Sequence, residues 1–189
     1  MLTDVQIINL GMSKISTSRI NRIDPAQTPL EAYMASNYPH WRRVELTKRR
    51  WVFALEENYP LTLTNTLTDV EKPYVYQMPN LCLRPVRTKY TEWKQRGTKI
   101  YSAYPTLKLD FIKNVSEADF DPLFDDVLAC WVAYQSAEYV TQSNPKKEAA
   151  KAMYDNAVTA AAQANAFVMG PEDVSADDSA YAWLQDRYM

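Results

Sequence analysis

The sequence predicts an α+β fold: an antiparallel helical bundle carrying an inserted small antiparallel β-domain and an extended C-terminal arm. Three observations predict it. Helix-start signals, a capping residue followed by proline, stand at Thr28-Pro29, Asp121-Pro122 and Asn144-Pro145. There the side-chain oxygen takes an orphan N–H, and proline gives up a donor that had no partner. Between about residues 58 and 115 the texture changes to short period-two runs broken by prolines. Beyond Gly170-Pro171 a stretch of acidic and small residues closes in aromatics. The expected organisation is a bundle from 1–57 with 116–170, a β-domain over 58–115 and a docking arm over 171–189.

Taken in order, residues 3–10 read as a short helix with Gly11 as its stop. A polar link leads to a long helical stretch over 29–57, with Leu30, Tyr33, Met34, Trp41, Val44, Trp51, Phe53 and Leu55 as apolar positions. Pro39 inside it predicts a kink, or a break capped by Ser36 or Asn37. Strand-like runs follow at 61–68, 74–78, 83–90, 99–104 and 107–112. Over 119–141, Phe120, Leu123, Phe124, Val127, Leu128 and Trp131 step at three and four, which predicts a core helix. The segment 145–168 contains nine alanines, the best helix formers and small enough to let a neighbour approach closely. Only a tight turn at 143–145 separates the two, so they should form an antiparallel hairpin.

Composition excludes several classes. With 47% hydrophobic residues in 189 the chain can bury a core. A net charge of -2 and a pI near 5.5 argue against a dedicated nucleic-acid binder. Three isolated glycines leave no phosphate-cradling loop. Two cysteines, Cys82 and Cys130, are too few for a disulfide scaffold or a four-ligand zinc site, and both read as packing residues. His40 is the one histidine and stands without a nucleophile partner. Asp119, Asp121, Asp125 and Asp126 are accounted for by the helix macrodipole. The reading is of a non-enzyme with no catalytic residue, no cofactor and no metal. No secretory signal or membrane span is present in the sequence, so a protein made in a reducing cytoplasm is expected.

Two features point to contacts instead. Arg42, Arg43, Arg49 and Arg50 are interleaved with Trp41 and Trp51. The seven-residue spacing would place them as a cationic stripe on one helical face, able to meet phosphates or a neighbouring subunit. A nucleic-acid-binding module using that stripe is the alternative reading. The arm carries Tyr181, Trp183, Leu184 and Tyr188, amphipathic anchors of the kind over-used at interfaces.

Several segments, in order, carry a resemblance. They are Ile8-Asn-Leu-Gly-Met-Ser-Lys-Ile-Ser16, Arg49-Arg-Trp-Val-Phe-Ala54, Tyr76-Gln-Met-Pro-Asn-Leu-Cys-Leu-Arg84, Lys108-Leu-Asp-Phe-Ile112 with Phe120-Asp-Pro-Leu-Phe124, and Thr141-Gln-Ser143. Together, over nearly the whole chain to about Val168, they resemble the head-to-tail adaptor of short-tailed bacteriophages, the tail tubular protein A family. Pro39 and Met78 depart from the pattern. The resemblance implies a structural virion protein at the head–tail interface, assembled in the host cytoplasm. Copies of it, twelve in the family, would form a ring between the portal protein and the tail nozzle protein. Genomic DNA would pass through without sequence-specific binding, and no membrane would be involved. Helices would build the wall, the β-domain would lie toward the tail, and Tyr181, Trp183, Leu184 and Tyr188 would dock on the portal.

Overall fold

In a computed structural model the chain is α+β, and the structure describes residues 2–68, 70–88, 90 and 92–169. Four helices and two small antiparallel sheets make up the described part. The described residues divide into two compact units, one from 2–53 with 116–169 and the other Ala54–Val115.

The helical unit opens with α1 (Asp4–Lys14), started by a reciprocal capping box between Thr3 and Gln6. Gly11 does not stop this helix; it lies inside it. A Cβ at Gly11 would stand 2.6 Å from the Ala129 carbonyl oxygen and 3.1 Å from Val132 Cγ1. The glycine therefore serves close helix approach, not termination. The helix α2 (Pro29–Lys48) begins with a second capping box, Thr28 with Glu31. It is continuous through Pro39, so of the kink or break expected there the break does not occur. Ser36 and Asn37 do not cap a new helix. Their side chains donate back to the carbonyls of Ala32 and Tyr33, one turn earlier.

The helix also ends nine residues before the expected 57, at Lys48, with Arg49 already extended at φ -133°. Trp51 explains the stop, because its indole N–H donates to the Glu45 carbonyl at 3.2 Å and occupies a last-turn acceptor. Next in the unit, α3 (Pro122–Thr141) starts at the Asp121 cap, whose carboxylate accepts from Leu123 N–H at 2.8 Å. Gln142, left-handed at φ 50°, closes it, and α4 (Asn144–Met169) begins two residues on. Contacts pair Glu138 with Lys147, Trp131 with Tyr154 and Phe124 with the Ala161–Val168 end. Falling numbers against rising ones make the hairpin antiparallel.

The β-unit holds β1 (Leu55–Pro60), β2 (Thr62–Thr66), β3 (Tyr74–Gln77), β4 (Cys82–Thr88), β5 (Trp93–Arg96), β6 (Lys99–Ser102) and β7 (Lys108–Lys113). They form two antiparallel sheets, ordered β1-β7-β4 and β2-β3-β6-β5. Residues 55–57, read as helix from sequence, are strand. No sequence signal was taken for β5, whose four residues are mostly polar and exposed. Tyr76, Ile100, Leu107, Leu109 and Phe111 form the buried core of this unit, with Trp93 packed against it.

Candidate docking surface on the helical unit

The most structured surface feature of the helical unit is built where the 50–53 segment crosses the end of α4. Asn165 holds it there. Its amide donates to the Arg50 carbonyl at 2.8 Å, and its oxygen accepts from Val52 N–H at 2.8 Å. Segment and helix are thus laced through backbone groups that neither could satisfy alone. Trp51, Phe53, Phe120 and Phe124 fill the space below with edge-on and tilted rings, centroids 4.9–5.0 Å apart around Phe124 for three of the pairs. Between Trp51, Phe53 and Phe124 on one side and Ala161, Ala164 and Val168 on the other lies a mostly apolar pocket of about 200 Å³. Beside it α4 ends on apolar side chains left in water, Phe167 at 89% and Val168 at 71% exposure. Leu123, on the first turn of α3, is exposed too. The next residues in the chain are those of the expected arm.

A buried polar cluster braces the C-terminal end of α2. Glu45 is fully enclosed, paired with Lys48, and accepts from the Tyr154 hydroxyl at 3.0 and 3.2 Å. Lys48 Nζ lies 3.6 Å from the Trp131 ring centroid, a cation over an aromatic face. Burial pushes the Glu45 carboxyl above the ordinary value, against the pull of Lys48 and Tyr154. Burial beside Glu45 likewise raises the Tyr154 hydroxyl. Glu45 is buried and partnered, which suits bracing, while Lys48 reaches the surface.

A second carboxylate does similar work on a loop. Glu31 Oε1 accepts from the N–H groups of Asn21 and Arg22 at 3.1 and 3.4 Å, and Oε2 from Gln27 and Thr28 at 2.8 and 3.0 Å. Backbone donors, that of Gln27 foremost, hold its carboxyl below the ordinary range.

The four arginines do not make one stripe. Arg42 and Arg43 are on α2, whereas Arg49 and Arg50 follow its last turn. Arg42 pairs with Glu117 at 3.1 Å, Arg49 is half-buried, Arg50 is buried, and Arg43 alone of the four is exposed. The predicted anchors Tyr181, Trp183, Leu184 and Tyr188 lie outside the described residues. Cys130 is buried in α3, and burial lifts the Cys82 thiol to about 11, so both sit in environments that suppress the thiolate. Asp121 caps α3, Asp126 pairs with Lys14 at 2.7 Å, Asp119 accepts from Ser116, and Asp125 is buried with its carboxyl raised by desolvation. Among the described residues no group of three or more His, Cys, Asp or Glu side chains could hold a metal ion. No helix among them is long and apolar enough to cross a membrane.

Sequence reasoning missed Asn165, Glu45 and Tyr154. Asn165 left a trace: an amide is a poor helix former, and this one interrupts an alanine run. Glu45 left one as well, a carboxylate one turn after Trp41 on the face expected to be apolar. Compared with models of known protein families and with curated proteins, the chain matches none.

Proposed function

We propose that the chain is a structural virion protein, a ring-forming head-to-tail adaptor that joins a portal to a tail nozzle around the DNA channel. The observation that carries this reading is the bare apolar end of α4, Phe167 and Val168 beside an open aromatic pocket, directly preceding the segment with Tyr181, Trp183, Leu184 and Tyr188. An apolar surface of this kind is used for binding other protein. The order of elements supports the same reading: short helix, capped long helix, inserted β-unit, then a helical hairpin. On the outer side of α4, Ala149, Ala152 and Ala160 are exposed together with Met153, a face on which a neighbouring copy's helix can pack closely.

The test is reconstitution. Purified full-length chain mixed with portal rings should add a ring of density below the portal in electron micrographs. A truncate ending at Met169 should fail to add it while keeping its helical circular dichroism. No added density with the full-length chain, or wild-type particle titre from the truncate, overturns the reading.

A further inference from the structure

We propose that the outer face of the four-stranded sheet binds the phosphodiester backbone of nucleic acid, through Lys94, Arg96 and Lys99 and without reading bases. Side chains alternate across a strand, and the register shows which ones turn outward. In β6, Ile100 and Ser102 are fully buried, so Lys99 and Tyr101 take the opposite face. In β5, Trp93 packs on the core, which leaves Lys94 and Arg96 outward. Lys94 pairs with Tyr101 and Arg96 with Lys99 across the strands. Three exposed cations therefore occupy three corners of one ladder, and Tyr101 takes the fourth with the Arg96 guanidinium 5.6 Å from its ring centroid. Lys72 joins Lys94, Arg96 and Tyr101 in the lining of a cleft of about 320 Å³, where its neighbour Glu71 is the one carboxylate among the described residues of that lining.

Charge bookkeeping separates this face from the rest of the chain. Residues 54–115 hold nine Lys and Arg against six Asp and Glu, net +3. The remainder holds twelve against seventeen, net -5. Two other cations of the β-unit are neutralised locally: Arg87 by Asp110 at 2.7 Å and Glu57 at 3.8 Å, and Lys113 by Glu56 at 3.4 Å. Lys94, Arg96 and Lys99 have no carboxylate partner among the described residues.

The occupant must be acceptor-only and anionic, because these side chains are all donors. Successive outward residues on a strand are about 6.7 Å apart and cross-strand neighbours about 5 Å. Long side chains on that grid suit a regularly repeating charge. A protein partner would call for a large apolar or aromatic anchor at the centre; Tyr101 is half-covered beneath Arg96, and the exposed Leu67 and Val70 line the cleft from outside the β5–β6 ladder that carries the three cations. The proposal is independent of the adaptor reading: loss of DNA affinity with portal assembly intact, or the reverse, tells the two apart.

Fluorescence anisotropy of the full-length chain with a labelled DNA duplex, and with one of its strands, tests it between about 50 and 200 mM salt. Three neutralised phosphates predict a log–log salt slope of about -2.7 for duplex, a roughly 40-fold loss across that range, and about -2.1 for the single strand. Lys94→Gln/Arg96→Gln/Lys99→Gln should abolish the slope, Lys99→Gln alone should reduce it by about 0.9, and Arg43→Gln on the helical unit should leave it unchanged. Thermal melts of each variant establish that it is folded. Absence of binding overturns the proposal. So does equal binding and equal slope with poly-glutamate, which would mark an acidic protein as the occupant, or retention of the slope in the folded triple variant.

Discussion

Asn165 is a single side chain whose amide satisfies two backbone groups of another segment. Replacing it with alanine leaves the Arg50 carbonyl and the Val52 N–H short of partners, at a cost of about 1–3 kcal/mol. Urea denaturation should show that loss, and the Trp51 fluorescence environment should change with it. Glu31 gives a pH signature. Its carboxyl is held below the ordinary value of 4.5, so the stability it contributes is complete above that value and is lost as pH falls through its folded-state value. Glu31→Gln should lower the melting temperature at neutral pH. The difference from wild type should begin to shrink as pH falls below 4.5, where the unfolded chain takes up the proton, and should vanish once pH passes below the lowered folded-state value, where the native protein loses the anion too. The Asn165 bonds and those of Glu31 to Asn21 and Arg22 are not announced in sequence, because side chain to backbone bonds across nine or more positions carry no local pattern; the Glu31 bond to Thr28, within one turn, does carry one.

At the scale of elements, what could be read was what is locally encoded. The caps at Thr28 and Asp121 and the three-four steps of α3 depend on residues within a turn of one another. The errors came where tertiary contacts override local preference. Pro39 was tolerated because the helix on both sides of it is anchored by Met34, Tyr38 and Trp41 in the core. The end of α2 was decided by the Trp51 indole, and Gly11 by the Ala129 backbone of a distant helix. Gly11→Ala makes that last point measurable. Alanine is the better helix former by about 1 kcal/mol, yet the clash should reverse the sign and destabilise the protein by about 1–3 kcal/mol. A stabilised Gly11→Ala variant would show that α1 and α3 are not in close contact.

For the whole molecule, the chain divides into two compact units, and the β-unit holds a buried core cluster of its own residues. The rings of Phe53 and Phe120, on either side of the inserted β-unit in sequence, have centroids 5.8 Å apart within the helical unit. Replacing 54–115 with a short Gly/Ser linker should therefore leave a helical protein with a cooperative thermal transition by circular dichroism. A variant without such a transition would show that the helical unit needs the insertion to fold. The average composition concealed the other large-scale feature. A net charge of -2 spoke against contact with nucleic acid, whereas the register places unneutralised cations together on one sheet. The seven-residue spacing of Arg42 with Arg49 and of Arg43 with Arg50 implies one face only if the helix spans all four, and α2 ends at Lys48. Lys94, Arg96 and Lys99 surround a hairpin turn and look unremarkable until the strands are paired.

The corner between α3 and α4 has a kinetic consequence. Two long helices joined through Gln142 and Ser143 make contacts close in sequence, which favours their early meeting during folding. Gln142 must enter the left-handed region at φ 50° for that meeting to occur, at a cost of about 1 kcal/mol for a residue with a Cβ. If the hairpin is formed at the rate-limiting barrier, that strain slows refolding and leaves unfolding nearly untouched. Stopped-flow chevrons of Gln142→Gly should then show a faster refolding arm, by roughly fivefold, over an unchanged unfolding arm.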